Sequence, residues 1–430
     1  MIKGGAPKVL VINCGSSSIK YGLFAMEPGH LLAGGLLERI GESGSLIRHR
    51  TENAQGELVE NQNEIEAPDH RAAFAHIADV LRGTVGFEAG QGPDAIGHRV
   101  VHGGEAFSVS VAINQAVIDT IRNLIPLAPL HNPANLTGIE ACREIFPSVP
   151  QVAVFDTAFH QSMPPRAFRY AVPEAWYSRH GIRRYGFHGS SHRYVANRAA
   201  DYLQRPLEEL GLITLHLGNG ASAAAIQHGR SIDTSMGFTP LEGLVMGTRC
   251  GDLDAAIPLH LEKVLGQSAD ELQEALNRDS GLKGFCGSND LREVLAEEQS
   301  GDERARLALD VYCYRIRKYI GAYFVALDGL DALVFTGGVG ENAPLIRSRV
   351  CQGLEKLGIA IDPAANDRTV EEISDIGRGG HSVRVLAVRT NEELQIARET
   401  LSVLIEPEKT VEHSKARSPN GGVESASTDF

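Results

Sequence analysis

From Lys8 to Phe24 the chain runs apolar, polar, apolar: "KVLVIN", then Cys14 and the small polar turn "GSSS", then "IKYGLF". The short apolar runs flanking a Gly-Ser turn predict a strand, a tight turn and a second strand. The pattern returns in "LITLHLGNGASAAAIQHGRSIDTS", Leu212 to Ser235, which predicts two related halves. A third glycine cluster, "ALVFTGGVGENAP", follows a strand and precedes a helix. Upstream of it Leu309, Tyr312, Ile316, Ile320, Tyr323 and Leu327 step by threes and fours, the spacing of a buried helical face. "RVLAVRTNEELQIARETLSVLI" predicts a last strand and helix, and residues 407–430, without apolar periodicity, read as a disordered tail.

At 430 residues, two domains with a cleft between them are expected rather than one core. The composition, 43% hydrophobic with 46 glycines and 6% aromatic residues, is that of a soluble α/β enzyme. A formal charge of -13 argues against nucleic acid or an anionic membrane as partner, but leaves room for a local basic pocket. The six cysteines stand singly, without metal-ligand spacing, which fits reduced thiols in a cytoplasmic protein. No signal peptide or membrane span is read from the sequence.

Several segments carry candidate chemistry. The first turn offers backbone N–H groups, the hydroxyls of Ser16 to Ser18 and the Lys20 ammonium, suited to phosphate although the P-loop spacing is missing. "GHRVVHGGE" sets Arg99 beside a strand, either as a bidentate anion clamp or as an ordinary salt-bridge arginine. "LAPLHNPANL" places His131 in a rigid loop, in the site or merely structural. "VAVFDTAFHQSMP" ends a strand at Asp156, where open α/β sheets put their chemistry. It suits a base, a metal ligand or an orienter, and equally a turn aspartate. "RRYGFHGSSHRYVANR" crowds Arg183, Arg184, His188, His192 and Arg193 around what reads as a Gly-Ser turn, and fits anion binding better than zinc. The long irregular stretch Asp233 to Asp254 contains Arg249, a second candidate clamp.

In this order the segments resemble the acetate kinase family of the acetate and sugar kinase/Hsp70/actin superfamily, from about Lys8 to about Leu404. "VLVINCGSSSIKY" and "RRYGFHGSSHRYV" lie close to its signatures. The resemblance implies an α/β fold of two duplicated ribonuclease H-like (actin-like ATPase) domains with a cleft between them. Residues 8–160 with about 391–406 would form the first domain, and 161–390 the second, nucleotide-binding one.

It further implies that Asn13 and Glu392 support a Mg2+ ion, with Mn2+ able to substitute, and that Ser16, Ser18 and Lys20 face phosphate. Glu393 competes with Glu392 for the metal role. Arg99 and Arg249 resemble the pair that binds carboxylate and phosphoryl group, Asp156 the essential acid, and His188 the imidazole at the transferring group, with His131 nearby. Val101, Leu130, Phe187 and Pro240 would enclose the acetyl methyl. His216, Leu217, Gly218, Asn219 and Gly220 match the second phosphate hairpin. Asp290, Leu291 and Arg292, with Gly338, Val339, Gly340, Glu341 and Asn342, match the walls of an adenosine pocket. Cys14 stands where a smaller residue is usual, and a thiol there is expected to make the site sensitive to oxidation.

The implied reaction is direct in-line phosphoryl transfer from ATP to acetate, giving ADP and acetyl phosphate, in a homodimeric enzyme. Two anions must approach each other, so positive charge and alignment carry the catalysis. The alternatives are a propionate or butyrate kinase of the same fold, and a non-catalytic nucleotide-binding module.

Overall fold

A computed structural model describes residues 6–53, 57–83 and 92–405; the tail expected at 407–430 lies outside these residues. The opening apolar runs form β1 (Lys8–Cys14) and β2 (Ser18–Ala25), paired antiparallel so that Asn13 faces Lys20. β3 (His30–Glu38), β4 (Ser45–Glu52), β5 (Leu58–Ile65), β6 (Ala95–Val100), β7 (Val111–Ala112) and β8 (Gln151–Phe155) complete a sheet ordered β5-β4-β3-β2-β1-β6-β8-β7.

A second sheet is built from β9 (Gly211–Leu217), β10 (Ala221–Gln227), β11 (Arg230–Thr234), β12 (Ala332–Thr336), β13 (Ile373–Asp375) and β14 (Arg384–Val388). Its order is β11-β10-β9-β12-β14-β13. The run β3-β2-β1-β6-β8 of the first sheet has its counterpart in β11-β10-β9-β12-β14. In both, three antiparallel strands are followed by two added in parallel. The echo between the two glycine-turn hairpins is thus an echo of whole sheets.

Two helices join the halves. Glu392–Ile405 lies on β1, β6 and β8, Gly189–Leu203 lies on β9, β12 and β14, and the two pack against each other. Val11, Val154, Val195, Leu212, Val334 and Ile396 belong to one buried cluster there. Each such side chain contributes about 1.5–3 kcal/mol of burial, so the junction is a core rather than a loose hinge. Gly97 lets the terminal helix come this close: a Cβ on it would overlap Thr400 Oγ1 and stand 3.0 Å from Ile396 Cγ2.

On the far side of the second sheet, helix Glu303–Ala326 buries Leu309, Tyr312, Ile316, Ile320 and Tyr323, the face expected from the spacing, with Leu327 just past its end. The cluster "GGVGEN" does more than precede a helix; Gly337–Asn342 is itself helical, directly after β12. No helix among the described residues is long and apolar enough to cross a membrane.

Candidate active site

Parallel pairing of β6 with β8 brings Arg99 beside Asp156, which follows the last residue of β8. Arg99 Nε donates to Asp156 Oδ1 at 3.1 Å, and Nη2 to Oδ2. Its Nη1 reaches Asn13 Oδ1 on β1 at 3.3 Å. Asp156 is 1% exposed and Arg99 20%. Burial opposes the arginine's charge, but Asp156 and then Glu392 outweigh it, so the guanidinium holds its proton more firmly than usual. Asn135 ties this wall to the hairpin: its Nδ2 donates to the Cys14 carbonyl at 2.8 Å, and its Oδ1 accepts from Val101 N–H at 2.9 Å.

The opposite wall is a set of imidazoles. His188 has φ of +58° and precedes helix Gly189–Leu203, whose first N–H, on Gly189, donates to the Asp156 carbonyl at 3.0 Å. Ser222 Oγ is 2.8 Å from both His188 Nδ1 and His192 Nε2, and His192 Nδ1 is 2.7 Å from Thr214 Oγ1. His216 Nδ1 is held by Ser191 Oγ at 2.7 Å, which also meets Thr390 Oγ1 at 2.9 Å. The His188 and His216 ring centroids are 4.3 Å apart. Burial, then the neighbouring imidazoles, pushes His188 well below its ordinary range, and burial brings His216 down to about 4. Both are neutral at pH 7.

Arg249 comes from the irregular stretch after β11. Its Nη1 donates to the Pro240 carbonyl at 3.1 Å, and burial lowers its pKa. A Cβ at Gly220 would lie 3.6 Å from both Arg249 Nη1 and His188 Nε2, so both side chains converge on the second glycine turn. His131 is exposed as a residue, but its imidazole turns inward, where desolvation, then Arg99 and Arg249, lowers its pKa.

Asn13, Lys20, Arg99, His188, His216 and Glu392 share a cavity of about 170 Å³. Desolvation pushes the Glu392 carboxyl up to about 7, with Arg99 opposing and Asp156 adding to the shift. Lys20, expected to face phosphate, forms an ion pair with Glu393. A second cavity, about 750 Å³, continues from Gly218 and Asn219 to Asp290–Arg292, Gly338, Val339 and Asn342, with Leu295 and Tyr312 as apolar lining. That size suits a nucleotide.

Not every candidate opens on these cavities. Leu217 is core, Gly340 is buried, and Glu341 turns its carboxylate to the N–H groups of Gly337 and Thr390, each at 3.0 Å. Gly220 faces Arg249 rather than the larger cavity. Val101 and Phe187 lie in one buried cluster, Pro240 is half-buried beside Arg249, and Leu130 is 56% exposed.

Three expectations change. Gly189, Ser190 and Ser191 form the first turn of a helix rather than a separate Gly-Ser turn, and Arg183, Arg184 and Arg193 each pair with a different carboxylate instead of sharing one site. Arg183 pairs with Glu105 at 2.5 Å and lies 3.7 Å over the Phe168 ring. Arg184 pairs with Glu242, and Arg193 with Glu399 at 3.3 Å. Cys14 is 3% exposed and burial pushes its thiol up to about 12, which removes the expected oxidation sensitivity. Asn135 escaped the sequence reading, and Ser222 entered it only within the segment of the second hairpin. Ser222, the lone hydroxyl in the alanine run of β10, is the one of the two that carried a signal.

Among the described residues no group of three or more His, Cys, Asp or Glu is arranged to hold a metal. Asn13 and Glu392, which open on the smaller cavity, would offer two oxygen donors. That donor set fits Mg2+, which keeps waters and relies on substrate phosphates, better than a metal caged by protein alone.

Residues 8–398 match the family model described as the Acetokinase family. The chain is 51% identical over 398 residues to a protein of Syntrophobacter fumaroxidans named acetate kinase, covering 92% of this chain and 97% of the relative. To the acetate kinase of Dictyoglomus thermophilum it is 52% identical over 400 residues, covering 92% and 99%. The crystal structure of Porphyromonas gingivalis acetate kinase matches with TM-score 0.87 and 46% identity, covering 93% of this chain and all of that one. A propionate kinase from Francisella tularensis matches with TM-score 0.85 and 42% identity, covering 92% and 99%.

Proposed function

The chain belongs to the acetokinase family, and we propose that it transfers the γ-phosphoryl group of ATP to acetate, reversibly, giving ADP and acetyl phosphate. The observation that carries this reading is that His188 stands beside both guanidinium groups: it shares the smaller cavity with Arg99 and meets Arg249 at Gly220. Arg99 is aligned by Asp156 and Arg249 by the Pro240 carbonyl, and the neutral His188 belongs to the wall facing Arg99.

Acetate is already a nucleophile at pH 7, so no general base is required. Two anions have to meet in line, and the work of the protein is to align them and offset their repulsion. In this reading Arg99 and Arg249 bind carboxylate and transferring phosphoryl oxygens, and His188 donates a hydrogen bond to the charge that develops. Its Nδ1 is tied to Ser222, so Nε2 is the atom free to do so. Asp156 keeps Arg99 in one orientation, and the cavity running past Gly218 to Val339 takes the nucleotide. Asn13 and Glu392 would hold Mg2+, or Mn2+ in its place, which supplies charge neutralisation on the phosphates. Closure of the cleft would exclude water as the competing acceptor.

The 42% identical propionate kinase supports a second reading, in which propionate is the preferred acid. A methylene is worth about 1–3 kcal/mol of discrimination in an apolar pocket. A homodimer is supported by helix Ala256–Leu265, none of whose residues is buried and whose Leu259 and Leu265 are 67% and 64% exposed. A cytoplasmic location follows from the same reading, since ATP is its substrate.

Purified protein, ATP, Mg2+ and hydroxylamine with acetate, propionate or butyrate test it. Hydroxamate is expected with acetate at the highest kcat/KM. A higher value with propionate selects the second reading, and no acid-dependent hydroxamate leaves a nucleotide-binding module.

A further inference from the structure

Arg184 was a candidate anion ligand by sequence, yet its guanidinium is spent on backbone. Nη1 donates to three successive carbonyls, Thr234 and Ser235 at 2.9 Å and Met236 at 3.2 Å, and Nη2 pairs with Glu242. Glu242 also accepts from Tyr170 Oη, and that same oxygen accepts the Phe238 N–H at 3.0 Å. The neighbouring backbone adds to the clasp: Tyr185 N–H donates to the Gly237 carbonyl at 3.0 Å. At the far side of the stretch, Asp252 accepts Gly243 N–H at 3.0 Å and Tyr319 Oη at 3.0 Å, and pairs with Arg315 at 3.0 Å. Residues 235–255 have no helix or strand of their own, so these side chains set their path.

Pro240 lies between the two clasps, two residues from Glu242, and its carbonyl accepts from Arg249 Nη1 at 3.1 Å. The connection therefore runs by hydrogen bonds from Arg184 and Tyr170 to Glu242, along two residues of backbone to Pro240, and by one hydrogen bond from its carbonyl to the Arg249 guanidinium. Arg184 is 15% exposed and Glu242 32%. Truncating Glu242 leaves the mostly buried Arg184 charge without its partner.

We propose that Tyr170, Arg184 and Glu242 are positioning residues that hold Arg249 in its reactive orientation without touching substrate. The proposal rests on the reading of Arg249 as an anion clamp. It explains why Arg184 opens on neither cavity. Displacement of a reacting group by about 1 Å costs about 100-fold in rate, which sets the scale of the expected effects.

Tyr170→Phe and Glu242→Gln keep side-chain shape and test the chain in the full-length protein. Each is expected to lower kcat by about 10- to 100-fold and raise the KM for the carboxylate, with the KM for ATP within about twofold of wild type. The same substitutions are then made on Arg249→Lys, which keeps measurable charge but loses the fork held by Pro240. On that background the Tyr170→Phe and Glu242→Gln factors are expected to shrink below about threefold. Full factors retained on Arg249→Lys, or an equal rise in both KM values, would overturn the proposal in favour of general support of the fold. A normal rate for Arg249→Lys alone would instead overturn the reading of Arg249 itself.

Discussion

Glu392→Gln separates stability from activity at one atom pair. Desolvation pushes the Glu392 carboxyl from an ordinary value near 4.5 up to about 7, against the pull of Arg99. A carboxyl with a raised folded value makes the native state bind more protons than the unfolded chain between those limits. Stability is therefore unaffected below about pH 4.5 and falls as pH rises towards 7, after which the penalty is constant. With about 1.4 kcal/mol per pKa unit, the ionised carboxylate costs the ligand-free fold about 3 kcal/mol at pH 8. Glutamine removes that penalty while keeping size and one carbonyl oxygen. Urea unfolding of the ligand-free variant is expected to show a gain of about 2–3 kcal/mol over wild type at pH 8 and less than about 1 kcal/mol at pH 5. Acyl phosphate formation by the same preparation is expected to fall by at least about 100-fold and to need more Mg2+. A variant less stable than wild type at pH 8, or equally stabilised at both pH values, would refute the reasoning.

Two further outcomes follow from the buried groups. Asp156→Asn removes the partner of a mostly buried arginine, and is expected to cost about 3–5 kcal/mol in chemical denaturation. Removing the exposed Asp279 partner of Lys283 is expected to cost less than about 1 kcal/mol, and equal costs would contradict the assigned burial. Burial lowers His98, His102, His160 and His216 to about 4 from the ordinary 6.5. The unfolded chain then binds more protons than the native one between those values, so stability is complete above pH 6.5 and falls as pH drops towards 4. With four such groups the loss approaches about 5 kcal/mol per pH unit near pH 5; urea midpoints that stay flat from pH 6.5 to 5 would exclude it.

Much of the fold was legible because strand and helix signals are local. The two glycine-turn hairpins, the strand ending before Asp156 and the buried face of helix Glu303–Ala326 all follow from residue spacing. What spacing does not carry is pairing across the chain. Arg99 and Asp156 lie 57 positions apart, and only the β6–β8 register makes them neighbours. For the same reason Arg183 and Arg184 looked like ligands: their partners Glu105 and Glu242 lie 78 and 58 residues away. The start of helix Gly189–Leu203 was concealed by Gly189, Ser190 and Ser191, which are turn formers by composition. Gly189 is required because a Cβ there would overlap the Asp156 carbonyl, and that contact is invisible in one dimension.

The central claim is that a carboxylate oxygen attacks phosphorus directly in the cleft between Arg99 and Arg249. Phosphorus-31 NMR of the full-length protein with ATP, Mg2+ and acetate labelled with 18O in both oxygens reads that bond. The expected result is an acetate-dependent acyl phosphate resonance shifted by one bridging 18O, formed along with ADP and lost in Arg99→Ala and Arg249→Ala. ADP and inorganic phosphate released at a rate indifferent to acetate would contradict it.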